Sequence, residues 1–208
     1  MTLKDSLVAG LAKQLGHPRG VRGKLVGRML NRANNAPVAG AVEALELRAG
    51  ETAADIGFGG GLGLSLLLGR VGPAGAVHGV EVSETMFDGA VKRFGRDERV
   101  RLHRGSITEL PLADASLDAL ITCNTLYFVA EPAVAFAELA RVLRPGGRAV
   151  VGIGDPAAMA EMPFTPHGFR LRPVSEVVGL LGAAGLEVRE DRRIGRSERA
   201  FHLLIAGR

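Results

Sequence analysis

Short apolar runs alternate along the chain with stretches in which apolar residues recur every three or four positions. The runs at 52–56, 76–81, 100–104, 117–122 and 148–153 read as strands. Between them the period lengthens to that of helices. Pro37 opens a helix through Leu47 with Val38, Ala41, Val42 and Leu45 on one face. Residues 64–68 make a buried helical run, and Ser83 caps a helix burying Met86, Phe87, Ala90, Val91 and Phe94. Pro132 opens a further helix with Phe136, Leu139, Ala140 and Leu143 inward, stopping at Arg144-Pro145-Gly146-Gly147. Strands alternating with helices five times predict an α/β, Rossmann-like, doubly wound parallel sheet covered on both faces.

The tail has another rhythm. After a helix over 175–184, the segments 186–189 and 200–205 read as strands. Residues 191–198 between them are too few for a helical crossover, so these strands pair as an antiparallel hairpin. At the other end, residues 1–36 read as a helical cap ahead of a domain spanning 37–208. The cap's two short helices break near Gly16-His17-Pro18-Arg19-Gly20, and Leu3, Leu7, Leu11 and Leu15 fall on one stripe.

The stretch with the most chemistry follows the first strand: Asp55-Ile56-Gly57-Phe58-Gly59-Gly60-Gly61-Leu62-Gly63. Glycines let a backbone turn sharply and lie against a ligand, and the helix that follows offers free N–H groups and a partial positive charge. The phosphate-binding P-loop is excluded because no lysine follows the loop. The dinucleotide register G-x-G-x-x-G also fails: from Gly57, Gly59 or Gly61 its third glycine falls on Leu62, Leu64 or Leu66. What remains is Asp55-x-Gly57-x-Gly59-x-Gly61, with a second acid, Glu81, ending the next strand.

This pattern resembles the first motif of class I S-adenosylmethionine (SAM) dependent methyltransferases. Residues 139–148 (Leu-Ala-Arg-Val-Leu-Arg-Pro-Gly-Gly-Arg) and 105–111 (Gly-Ser-Ile-Thr-Glu-Leu-Pro) are similar to the small-molecule branch with ubiquinone and menaquinone methyltransferases. The resemblance runs from about residue 37 to the end. It implies strand order 3-2-1-4-5-7-6 with the last strand antiparallel, and SAM as cofactor. It implies that Glu81 accepts hydrogen bonds from the ribose hydroxyls and that Val82 and Met86 flank the adenine. Asp55 then holds the methionine end, and Gly57, Phe58, Gly59 and Gly61 form the loop. Ser106-Ile107 stand where the family places an acid for the adenine amino group, and Asn124 follows strand 4 near the sulfonium methyl. Glu81 as a helix-capping acid, Asp55 as an organiser of the loop and Asn124 as a turn former are the alternatives.

Methyl transfer needs orientation and exclusion of water before it needs a base. Tyr127 and Glu131 after strand 4, and Asp155 and His167 after strand 5, are the candidate bases; each also reads as a structural or solvent-facing residue. Met159, Met162, Phe164 and Phe169 among the prolines of 154–173 read as a mobile apolar substrate loop. Together with the leucine stripe, they point to a small apolar acceptor methylated at O, N or C by in-line displacement.

Composition narrows the classes. The chain has 208 residues with 47% apolar, room for one full core. A single cysteine, Cys123, excludes an internal disulfide, and five histidines without paired spacing point to no structural metal. The reading is a cytoplasmic protein: no leader is visible, and the uncharged stretch 119–130 is half the length of a membrane span. The net charge of +4 gathers at the amino end, where Lys4, Lys13, Arg19, Arg22, Lys24, Arg28 and Arg32 face only Asp5. A solvated basic face explains it; a nucleic acid, an acidic substrate and an anionic membrane surface are the competing partners, the first opposed by the absence of Trp and by a single Tyr. A homodimer is compatible. The alternatives kept are an RNA or protein methyltransferase, and a SAM-binding protein of the same fold that methylates nothing.

Overall fold

The computed structural model describes residues 8–10, 12, 34–195 and 200–208. In chain order the elements are α1 (Asn35–Ala44), β1 (Thr52–Ile56), α2 (Leu62–Val71), β2 (Ala76–Glu81), α3 (Glu84–Phe94), β3 (Val100–Arg104) and β4 (Leu117–Cys123). A 3-10 turn (Leu126–Phe128), α4 (Pro132–Val142), β5 (Leu143–Ile153), α5 (Pro156–Ala160), α6 (Val174–Ala183), β6 (Glu187–Ile194) and β7 (Phe201–Gly207) follow. The cap expected over 1–36 lies outside the described residues except for residues 8–10, 12 and 34–36.

The strands form one sheet in the order β3-β2-β1-β4-β5-β7-β6. Neighbours from β3 to β5 run parallel, and β7 is antiparallel to β5 and β6. Each central strand buries both faces. Ala53, Val77 and Ile121 pack under Val42, Leu67 and Phe94 of α1, α2 and α3. Ala54, Leu120 and Val151 pack under Phe136, Leu139 and Leu181 of α4 and α6. This two-sided burial is why β1, β2 and β4 read as continuous apolar runs rather than alternating ones.

Three expectations change in detail. No helix stands between β3 and β4. Residues 105–116 cover the sheet there with Ile107, Leu110 and Leu112, all buried. Arg141 fastens that cover: it donates to the carbonyls of Leu110 (3.0 Å) and Leu112 (2.8 Å) and pairs with Asp114 and Glu138. Glu138 in turn accepts from Leu110 N at 2.7 Å. A planar guanidinium with five donors does from one position what an amphipathic helix would do with a face. The second change is that β5 starts at Leu143, where α4 hands over directly to the strand, rather than at 148. The third is that β6 runs on to Ile194, well past 189, because its cross-strand pairs with β7 continue to Phe201.

Candidate functional site at the strand ends

The carboxyl ends of β1, β2, β4 and β5 meet at one edge of the sheet, and most of the candidate residues lie there. Gly57, Gly59 and Gly61 all have positive φ (77°, 49° and 74°). That backbone is open to glycine at little cost and strained for most other residues. Gly57 N donates to Val80 O at 2.8 Å, and Gly61 N to Phe58 O at 2.8 Å. A Cβ on Gly57 would run into the Thr125 hydroxyl, whereas one on Gly59 would meet nothing within 4 Å. The loop is thus closed against the protein at Gly57 and open at Gly59.

Glu81 is buried, and its two oxygens are already directed. Gly59 N donates to Oε2 and Ser83 N to Oε1, each at 2.8 Å. One carboxylate therefore ties the glycine loop to the start of α3. Val82 beside it is exposed, whereas Met86 is buried one turn into α3.

Asp55, 5% exposed, sits at the end of β1 beneath the start of α2. Gly63 has no room for a side chain, because a Cβ would strike Asp55 Oδ2 and approach Ile121. The carboxyl is thus pressed to the first turn of a helix, where negative charge is favoured. Burial outweighs this and, with the Glu81 charge, pushes Asp55 up to about 8. Cys123 at the end of β4 is pushed up too, by burial first and then by Asp55.

The other cofactor candidates divide. Phe58 and Ile107 turn their side chains into the two cores, which leaves their backbones at the site. Ser106 turns its hydroxyl to its own loop, 2.8 Å from Thr108 Oγ1, and accepts from Thr108 N. Asn124 takes the left-handed conformation (φ 58°) and donates from N to Gly152 O at 2.9 Å. Thr125 and Gly63 were missed; a small residue one turn into a helix and a threonine after a strand carry no signal until β1 and β4 are placed side by side.

The candidate bases lie on the loops after β4 and β5. The Tyr127 hydroxyl is buried and accepts from Gly154 N at 2.5 Å; burial pushes its pKa up to about 12. Asp155 caps α5, accepting from Ala158 N at 2.8 Å. Glu131, at the N-cap of α4, and His167 are exposed. The two loops are stitched together. Arg170 N donates to Tyr127 O, and Arg172 donates to the carbonyls of Leu126 and Val129. The rings of Tyr127, Phe128, Phe164 and Phe169 join this contact with centroids 4.8–6.3 Å apart. The stretch expected as a mobile loop thus holds α5 and packs Met159, Phe169 and Leu171 on the core.

Residues 54–151 match the family model described as a methyltransferase domain, and those residues contain the glycine loop, both acids and the Arg141 fastening. Over this span, just under half of the chain, the protein is similar to class I SAM-dependent methyltransferases. It is 44% identical over 114 residues to a 37.1 kDa protein in transposon TN4556 of Streptomyces fradiae, covering 55% of this chain and 33% of that protein. Against a demethylmenaquinone methyltransferase of Staphylococcus aureus it is 36% identical over 104 residues, covering 50% of this chain and 43% of the relative. The matches thus span less than half the length of either curated relative.

The same methyltransferase fold appears in solved structures. A methyltransferase in complex with the Haloferax volcanii Trm112 methyltransferase activator superposes with a TM-score of 0.77 at 17% identity, covering 96% of each chain. A SAM-dependent methyltransferase from Aquifex aeolicus gives 0.73 at 21%, covering 96% of this chain and 97% of its own. The [4+2]-cyclase SpnF gives 0.72 at 20%, covering 85% and 81%. Among the described residues no cluster of side chains is fit to hold a metal ion, and no helix is long and apolar enough to cross a membrane.

Proposed function

We propose that this protein transfers the methyl group of SAM to a small, largely apolar acceptor. The observation that carries this reading is the pair of buried acids, Asp55 and Glu81, at adjacent strand ends around an open Gly59. Such a site suits a ligand with hydroxyl donors, positive charge and a flat base. Glu81, buried at the end of β2 beside the open Gly59, is placed to accept from the ribose hydroxyls. Asp55 faces the cationic methionine portion, and the exposed Val82 gives the adenine an apolar seat.

When bound, SAM supplies a methyl group already activated for displacement by its sulfonium. The chain's part is to align the acceptor and keep water away. The aromatic wall of Tyr127, Phe128, Phe164 and Phe169 supports an apolar acceptor. Tyr127 and Asp155 are engaged by backbone donors, and Glu131 and His167 stand at the surface. We therefore infer an acceptor that brings its own nucleophile, such as a thiolate, an amine or a stabilised carbanion. The same lack of a poised base among the described residues favours one second reading, that SAM is bound and not consumed.

Calorimetric titration with SAM, S-adenosylhomocysteine and NAD tests the cofactor assignment. The first two are expected to bind and NAD not to. Glu81→Ala is expected to weaken them by about tenfold or more through loss of charged hydrogen bonds. A protein that ignores SAM, or a variant that binds as tightly as the parent, sinks the assignment. Turnover against a panel of thiols, amines and enolisable acceptors then separates the two readings.

A further inference from the structure

His202 stands apart from the residues considered so far. It lies on β7 beside Ile153, is 2% exposed, and is flanked by two carboxylates from two other segments. Its Nδ1 is 2.9 Å from Asp191 Oδ2 on β6. Its Nε2 faces Asp155 Oδ2 at 3.6 Å and has no hydrogen-bond partner although it is buried. Asp155 uses its other oxygen to cap α5, so its carboxyl joins the sheet to the segment that follows β5. Among the described residues the other charged group at this position is Arg193, the exposed cross-strand partner of His202.

A neutral imidazole carries one N–H. With that proton on Nδ1, donated to Asp191, the Nε2 lone pair faces the lone pairs of Asp155. With both nitrogens protonated, each carboxylate has a donor, and His202 bridges them. Asp155 is held below its ordinary pKa by the Ala158 N–H first and by His202 after it, in keeping with that bridge.

We propose that His202 is a positioning residue: its imidazolium fastens Asp155, and with it the segment 155–172, to the β6–β7 hairpin, and its deprotonation loosens that segment. The consequence for methyl transfer, that the acceptor-side wall is held more firmly at lower pH, rests on the function proposed above. The fastening itself does not.

The test is amide hydrogen exchange over residues 156–172 in the ligand-free protein, at about pH 5.5 and about pH 8. Rates are corrected for intrinsic pH dependence, and the His202 ring nitrogens are followed by NMR. In the parent, protection of Ala158 and Arg170 is expected to fall about tenfold as the ring loses its second proton, the scale of one charge-assisted hydrogen bond. Asp155→Asn keeps the cap oxygen and offers an N–H to Nε2, so its protection is expected to rise with pH instead. His202→Asn can donate to Asp191 alone and is expected to show low protection at both pH values. Protection that does not change with pH in the parent, or an Asp155→Asn protein that keeps the parental sign, overturns the proposal. A merely structural His202 would lower protection without reversing its pH dependence. Because neither cofactor nor acceptor is present, failure of the SAM assignment would show in calorimetry and leave this measurement intact.

Discussion

The two sides of the site are built from different forces. At the ends of β1 and β2 the loops are organised by charge: Glu81 collects two backbone N–H groups, and Asp55 is buried against the first turn of α2. At the ends of β4 and β5 a carbonyl-binding arginine, a tyrosine hydroxyl and four rings do the joining. The first side carries two buried acids, an arrangement that suits the cationic ligand proposed above. The second joins its loops through donors directed at backbone carbonyls and through packed rings. Stability is therefore expected to be sacrificed on the cofactor side and stored on the acceptor side.

The largest effect expected from this contrast is a gain. Asp55, whose ordinary value is 3.8, is pushed up to about 8 in the fold. An acid with a raised folded pKa favours the fold fully below its unfolded value, and that contribution is lost as pH rises from about 4 through 8. At neutral pH the ligand-free protein thus carries an Asp55 that would rather be ionised in the unfolded chain. Asp55→Asn removes this term in nearly the same shape. It is expected to stabilise the ligand-free protein by about 2–4 kcal/mol at pH 7, read from the urea midpoint, while weakening SAM. A less stable variant would show that Asp55 holds the loop together, and the contrast would fail on this side.

The opposite sign is expected across the sheet. The Arg172 side chain is 11% exposed. It donates to Val129 O at 3.0 Å and, at longer range, to Leu126 O, Ala130 O and Arg170 O. Arg172→Ala removes the side-chain donor from these carbonyls, of which Leu126 O keeps Val129 N, and is expected to destabilise by about 1–3 kcal/mol. Arg172→Lys should rescue little, since a single ammonium cannot reach the spread of carbonyls that a planar fork does. SAM affinity in calorimetry should stay within about twofold, below the scale of one hydrogen bond. A large loss of SAM binding would mean that the two sides are one mechanical unit.

The same contrast separates what could be read from the sequence from what could not. The glycine loop, Glu81 and the alternation of strands and helices are local patterns, and they were legible. The terminal hairpin was legible because residues 191–198 leave no room for a crossover. Contacts between distant segments were not. Thr125 approaches Ile56 across 69 positions, and Arg172 reaches Val129 across 43. The cover over residues 105–116 is likewise held from afar, by Arg141 acting across 31 positions on Leu110 O. Phe58 and Ile107 sit at motif positions, yet their side chains belong to the cores, because a motif specifies the path of the backbone and packing decides where a ring or a branched chain goes. His202 gave no signal, since its two carboxylates come from a loop and a strand that meet only in the sheet.

The smallest effect lies outside both sides and serves as their control. His78 on β2 and His103 on β3 place Nδ1 and Nε2 3.1 Å apart, with ring centroids 5.2 Å apart and the ring planes 3° from parallel. Nitrogens so much nearer than the centroids point at one another, so this is an N–H···N hydrogen bond between rings rather than face-to-face stacking. Burial first, then His103 and Arg101, lowers His78 to about 4. The unfolded chain then binds more protons between the ordinary 6.5 and 4, and stability falls as pH falls through that window. Asp55 has the reverse slope from about 4 to 8, so the two oppose each other below 6.5 and Asp55 acts without that opposition above it. His78→Phe should flatten the acid-side decline by about 1 kcal/mol, discounted because the ring pair is partly exposed. Urea midpoints across the range, with and without Asp55→Asn, separate the two slopes. If both variants flatten the same limb, the carboxylate's anomaly does not belong to the cofactor side, and the division drawn between the two sides falls with it.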